Sequence, residues 1–221
     1  MDTAERYALY YTPEPASALG RFGAGVLGDG PLPGWAAATR GALAAVTAEA
    51  RIYGFHATLK APMRLAPGAT EGDLLEACAA LAAHRRSVSV GRLEVAGLGG
   101  FVALVPEAPP PGLGLFAAEC VAALDPLRAP LTPAERDRRH PGQLDPRGRA
   151  LLDRWGYPHV FDAFRFHMTL TGRLPAEQRD LWRARLAEAC PAVALAIDAV
   201  TVLRQDGAAP FRILRRIPFT P

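Results

Sequence analysis

The sequence predicts an α+β fold: two pseudosymmetric lobes, each a small, mainly antiparallel sheet with flanking helices, around a central cleft. Three observations predict it. One short phrase occurs twice, 111 positions apart, as Phe55-His56-Ala57-Thr58-Leu59-Lys60 and Phe166-His167-Met168-Thr169-Leu170-Thr171. Each copy is followed by a helical stretch and then by β-like segments, in the same order. Half of the 221 residues are apolar, enough for a sizeable core in a single two-lobed domain over 1–221. Two copies are too few for a solenoid, so the internal repeat, roughly 53–106 and 164–218, reads as two lobes about a pseudo-twofold axis.

The motif segments read as strands. Side chains alternate between faces, which puts His56, Thr58 and Lys60 on one face and His167, Thr169 and Thr171 on the corresponding face of the other copy. Phe55, Ala57 and Leu59, with Phe166, Met168 and Leu170, form the apolar faces behind them. A face of imidazole, hydroxyl and ammonium is costly to bury unpaired, so it is expected to line a wet cleft with a histidine on either wall.

Downstream of the first motif, apolar periodicity predicts a helix over roughly 71–85, then strands over 87–97 and 101–106. A Pro-rich connection at 106–111 leads to an apolar helix over about 113–127. The segment 126–148 is less regular and gathers, with its neighbour, Arg136, Arg138, Arg139, Arg147 and Arg149. It reads either as a solvated helix-loop face or as an electropositive rim that steers a phosphorylated substrate. Downstream of the second motif, Pro175 suits a helix start and opens a helix over about 176–189. Strands over 193–203 and 211–218 close the chain, with Phe101 lying 45 residues past His56 and Phe211 44 past His167.

Lys60 is the only lysine among 25 basic residues. That is either an accident of composition or a position where a compact ammonium is wanted in place of a forked guanidinium. Cys78, Cys120 and Cys190 are odd in number and set in alanine-rich stretches, so they read as small buried hydrophobes without disulfides. His84, His140 and His159 read as structural or solvated. A net charge of +3 and a pI near 9.0 suit an anionic substrate without demanding nucleic acid. No apolar run spans a bilayer and no charged-then-apolar signal opens the chain, so a cytoplasmic protein with no membrane partner is expected. Gly23 and Gly25 have neither the spacing nor the lysine of a phosphate-cradling loop, and no serine sits in a nucleophile elbow.

The paired His-x-Thr phrases resemble those of the two-histidine phosphoesterase superfamily, which includes cyclic phosphodiesterases and RNA ligase-like proteins. The fuller runs Tyr53-Gly54-Phe55-His56-Ala57-Thr58-Leu59-Lys60-Ala61-Pro62, Arg154-Trp155-Gly156-Tyr157-Pro158 and Phe164-Arg165-Phe166-His167-Met168-Thr169-Leu170-Thr171-Gly172 are similar to a narrower branch. That branch is encoded in bacterial phosphonate-utilisation operons and described as phosphonate metabolism proteins of unknown function. Arg6-Tyr7-Ala8-Leu9-Tyr10-Tyr11 and Phe211-Arg212-Ile213-Leu214 fit it too. His159 departs from it, at a place where an aromatic such as tyrosine is expected.

The resemblance implies a phosphoesterase, and the residues supply a chemistry for it. Cleaving a phosphodiester needs a proton taken from water and another given to the leaving alkoxide, and imidazole holds either state near neutral pH. His56 and His167 are therefore the expected acid and base, their order undetermined. Thr58 and Thr169, with Lys60 and Thr171, are expected to bind the substrate. The predicted rate profile is bell-shaped, with an optimum between about pH 5.5 and 8. No third ligand accompanies the histidines, so no metal and no cofactor are expected. The family context makes a phosphorylated ribose or another small metabolite of phosphonate utilisation the expected substrate, with RNA 2′,3′-cyclic ends second. A non-catalytic module that binds phosphate esters or RNA ends is the competing class.

Overall fold

A computed structural model describes residues 5–28 and 30–220; residues 1–4, 29 and 221 of the domain expected over 1–221 lie outside that description. Strand β1 (Glu5–Tyr11) alternates two useful faces. Tyr7, Leu9 and Tyr11 enter the main core, whereas Ala8 and Tyr10 pack with Leu203 and Phe211 in a small separate cluster. Helix α1 (Ala18–Leu27) starts where the Ser17 hydroxyl accepts from the Gly20 amide at 2.9 Å. Helix α2 (Ala37–Arg51) leads into the first motif, whose strand is β2 (Ala57–Met63).

Helix α3 (Glu71–Ala82) opens on a reciprocal Thr70–Asp73 capping box. A hairpin of β3 (Val88–Leu98) and β4 (Phe101–Pro106) follows, close to the expected bounds. Apolar helix α4 (Pro111–Leu124) runs on into a 3-10 turn at Asp125–Leu127. The arginine-rich stretch, expected to be irregular, holds two helices, α5 (Pro133–Asp137) and α6 (Pro146–Trp155). Their ends were legible: Thr132 and Asp145 cap them and Gly156 adopts the left-handed φ of 76° that ends α6. Leu151 of α6, with Val160, packs on Val121 of α4, anchoring this segment beside the sheet.

The second motif forms the short strand β5 (Met168–Thr169), followed by α7 (Ala176–Ala189). The single strand expected over 193–203 is two, β6 (Ala194–Ile197) and β7 (Ala199–Asp206), and β8 (Arg212–Pro218) closes the chain. Among the described residues the eight strands join in the order β6-β3-β4-β5-β2-β1-β7-β8, and their pairings are antiparallel. The α+β class is as expected, and β5 and β2 meet at the centre of the sheet. The strands that follow the first motif lie beside β5, and β7 and β8, which follow the second, lie on the β2 side. Cys78, Cys120 and Cys190 are free thiols, the first two buried. Among the described residues no helix is long and apolar enough to cross a membrane.

One contact sets the start of β2. Gly23 of α1 lies against the ring of Phe55, which also meets Phe22 edge-on at 6.2 Å. A methyl group at Gly23 would overlap that ring. Gly23 is thus spoken for by packing on the residue that precedes His56. Gly23→Ala is expected to destabilise the fold by about 1–3 kcal/mol through overpacking. Urea unfolding of the two proteins checks this, and equal midpoints would show that Phe55 moves aside freely.

Candidate active site

His56 and His167 each stand one residue before the strand of their motif. The two strands pair antiparallel with Ala57 opposite Met168. That register sets His56 beside Thr169 and Thr58 beside His167, with the histidines as diagonal neighbours, about 7–8 Å apart at the backbone. Ala57 and Met168 are buried and turn towards the core, so the four polar side chains face the other way. His56, Thr58, His167 and Thr169 all line one cavity of about 520 Å³.

A single local device orients both rings. His56 Nδ1 donates to the Gly54 carbonyl at 2.9 Å, and His167 Nδ1 donates to the Arg165 carbonyl at 2.8 Å. A carbonyl oxygen only accepts, which assigns the proton to Nδ1 in each ring and frees Nε2 as the basic nitrogen. Gly54 makes its turn at φ 72°, a left-handed geometry that suits glycine. The Thr58 hydroxyl lies 3.3 Å from His56 Nε2 and donates towards it.

The surroundings of the two rings differ. His56 stacks on the buried ring of Tyr10, with centroids 3.8 Å apart and planes 20° from parallel. Desolvation there pushes its pKa down to about 4; the Gly54 hydrogen bond works against this, and the charge of His167 adds to it. His167 meets Phe101 at 5.8 Å in a tilted arrangement. His159 lines an adjoining chamber of about 530 Å³ together with His167, and burial lowers its pKa. His84 and His140 take left-handed backbone angles outside both cavities.

The cleft also holds residues that the motif analysis did not single out. Arg6, Tyr10, Tyr53 and Tyr157 line it, with Arg138 and Arg139 from the arginine-rich segment. Alternation along β1 was the available signal for two of them, because Arg6, Ala8 and Tyr10 share a face. Both readings of the arginine-rich segment have a share in it: Arg138 and Arg139 reach the cleft, while Arg136 and Arg147 pair with Asp153 and Asp162 at the surface. Glu135 also lines the cleft, but Arg64 holds both its oxygens, at 2.9 and 3.0 Å, and its pKa falls to about 2 chiefly through that pairing. Among the described residues, no group of three or more His, Cys, Asp or Glu side chains could hold a metal ion.

An α+β protein with a paired-histidine cleft is the class that this geometry defines. The family described as "Protein of unknown function (DUF1045)" matches residues 58–212, and the chain belongs to it. It is similar to a ribose 1,5-bisphosphate phosphokinase PhnN of Janthinobacterium sp. (strain Marseille), 40% identical over 99% of this chain and 52% of that protein. A protein of the same name from Laribacter hongkongensis (strain HLHK9) is 39% identical over 82% of this chain and 43% of its own length. The chain spans about half the length of the curated relatives it matches. The crystal structure of E. coli LigT complexed with NADP+ aligns over 99% of each chain, at 14% identity and a TM-score of 0.44.

Lys60 and Thr171 are not where strict alternation puts them, and neither lines the cleft. The β1–β2 register shifts between Tyr10–Thr58 and Leu9–Lys60, which interrupts the two-residue repeat of faces. Lys60 is 3% exposed, and its ammonium donates to the Val121 carbonyl at 3.0 Å and pairs with Asp125 at 3.1 Å. Strand β5 ends at Thr169, so Thr171 lies beyond the alternation. Its buried hydroxyl accepts from the Val102 amide at 3.0 Å and donates to the Gly172 carbonyl at 2.9 Å. Asp125 is also held by Arg128 at 2.8 Å and Arg154 at 2.7 Å. Burial lowers the Lys60 pKa and Asp125 partly restores it. Asp125→Ala, which strands a buried ammonium, is expected to cost on the order of 3–5 kcal/mol. Lys60→Met leaves Asp125 with two arginines and should cost clearly less in urea unfolding; the reverse ranking would show that the lysine is not dependent on this pair.

Proposed function

We propose that this chain is a metal-independent phosphoesterase of the two-histidine type, acting on a cyclic phosphodiester. One observation carries the reading: two His-x-Thr units share one cleft, and both rings are tied at Nδ1, which leaves proton transfer to Nε2 in each, that of His56 with the Thr58 hydroxyl 3.3 Å away. His56, neutral at pH 7 because its ring is desolvated, takes the proton from the attacking water. The water oxygen bonds to phosphorus, the bond to the leaving oxygen breaks, and His167 protonates that alkoxide to leave a phosphomonoester. Thr58 and Thr169 donate to the non-bridging oxygens as charge builds on them. Lys60 and Thr171 support the two strands from behind the site.

The resemblance of the motifs, the family and the phosphonate-operon branch support a small phosphorylated substrate. The names of the relatives, which contain ribose 1,5-bisphosphate, favour a phosphorylated ribose. The kinase activity in those names describes chains about twice this length. This sequence has no glycine-rich phosphate loop followed by lysine, and its single lysine is buried on Asp125.

His56→Ala and His167→Ala are each expected to lower turnover of a 2′,3′-cyclic nucleotide or ribose cyclic phosphate by at least about 10²-fold. The double variant should lose much less than the product of the two, because the pair acts as a unit. EDTA should leave the wild-type rate unchanged. Wild-type rates in either single variant would move the chemistry elsewhere, and collapse with EDTA would make metal-bound hydroxide the nucleophile.

The low pKa of His56 also sets a pH limit. The base is lost only as pH falls through about 4, where the ring takes up its proton. The acidic limb of kcat/KM, which reports the free enzyme, should therefore lie nearer 4 than the ordinary imidazole value of about 6.5. A limb at 6.5 or above would take His56 out of the role of base.

A further inference from the structure

The two sides of the histidine pair are built for different chemistry. On one side His167 opens into the adjoining chamber, walled chiefly by apolar side chains, among them Phe101, Phe161 and Phe164, with His159, Asp162 and Arg165 also on its lining. On the other side the cleft carries guanidinium groups. Arg6 stands there on β1, directly across from Gln205 on β7. Its Nε donates to Gln205 Oε1 at 2.9 Å, and its Nη2 donates to the same oxygen. Gln205 is 3% exposed, and its amide nitrogen donates to the Ala209 carbonyl at 2.7 Å, which turns its oxygen towards Arg6. The ring of Phe211 supports the same guanidinium at 5.9 Å.

This is more structure than an exposed arginine needs. A buried amide spends its acceptor on one edge of the fork, fixing the plane of the group and leaving Nη1 for the cleft. Arg139, from the other wall, lies over the Tyr157 ring at 5.1 Å. A guanidinium over a ring face still has N–H groups to give an oxyanion. The neighbouring carboxylate of Glu135 does not offset the pair, because Arg64 occupies both its oxygens. The phosphoryl group at the histidines has its own donors in Thr58 and Thr169, so these arginines are surplus to it.

We propose that Arg6 and Arg139 form a second anion subsite, and that the substrate of this cleft carries a second phosphate besides the phosphodiester it presents to the histidines. The inference rests on the phosphoesterase reading for the position of the first phosphate. Gln205 is the positioning residue for Arg6, and the aromatic chamber takes the uncharged part of the molecule.

The test is calorimetric and needs no turnover. Adenosine 3′,5′-bisphosphate and adenosine 3′-monophosphate are titrated into the intact protein, its fold checked by circular dichroism and thermal melting. The bisphosphate is expected to bind at least about tenfold more tightly, as charge-assisted bidentate bonds to a fixed guanidinium allow. Arg6→Gln and Arg139→Gln should each shrink that ratio several-fold. Equal affinity for the two probes, or a ratio unmoved in both arginine variants, overturns the subsite. If Arg6→Gln fails to fold, the Arg139→Gln ratio decides. A protein that prefers the bisphosphate yet hydrolyses no cyclic phosphate keeps the subsite and loses the phosphoesterase reading. One that hydrolyses cyclic phosphates but binds both probes alike does the opposite.

Discussion

At the centre of the sheet, β2 meets a strand only two residues long, and the register Ala57–Met168 is what brings two distant histidines onto one face. So short a strand cannot hold that register by its own ladder. Its neighbours do so. The amides of Leu170 and Thr171 both donate to the Val102 carbonyl, at 2.9 and 3.2 Å, and the Gly172 amide donates to Val46 at 2.7 Å. The Thr171 hydroxyl then satisfies the Val102 amide. A one-residue slip would turn His167 into the core and Met168 into the cleft, so the site and the central packing are specified together.

Polar groups inside this fold are placed by pairing. Lys60, among the most buried charges of the chain, ties β2 to the end of α4 through Val121 and Asp125. Asp125 in turn gathers Arg128 and Arg154, so burial, which would raise its pKa, is outweighed by three cationic donors. Breaking one partner of such a set strands the others, whereas the set as a whole is tolerated. The same logic holds in the cleft: the carboxylate of Glu135 is neutralised locally by Arg64, beside the guanidinium groups of Arg6 and Arg139 on the same lining.

The motif is symmetric and its setting is not. Each histidine uses the carbonyl two residues before it, a purely local arrangement. Beyond that range the environments diverge. His56 leans on Tyr10 and the desolvated β1–β7 face, while His167 opens towards an aromatic chamber. Desolvation beside Tyr10 lowers the basicity of His56.

The sequence by itself determined the α+β class, the strands of the two motifs with the helix and strands that follow each, and the four residues His56, Thr58, His167 and Thr169 that the cleft brings together. These follow from local rules: alternation, helical periodicity, capping residues and a repeated phrase. Tertiary structure alone decided the rest. Lys60 and Thr171 left the cleft because a register shift in β2 and the early end of β5 break alternation, and neither is visible without the partner strand. Arg6 and Tyr10 entered it because β1 pairs next to β2, a contact between segments some fifty residues apart. The basicity of His56 was out of reach for the same reason, since desolvation depends on which rings close around the imidazole and not on the residues beside it in the chain.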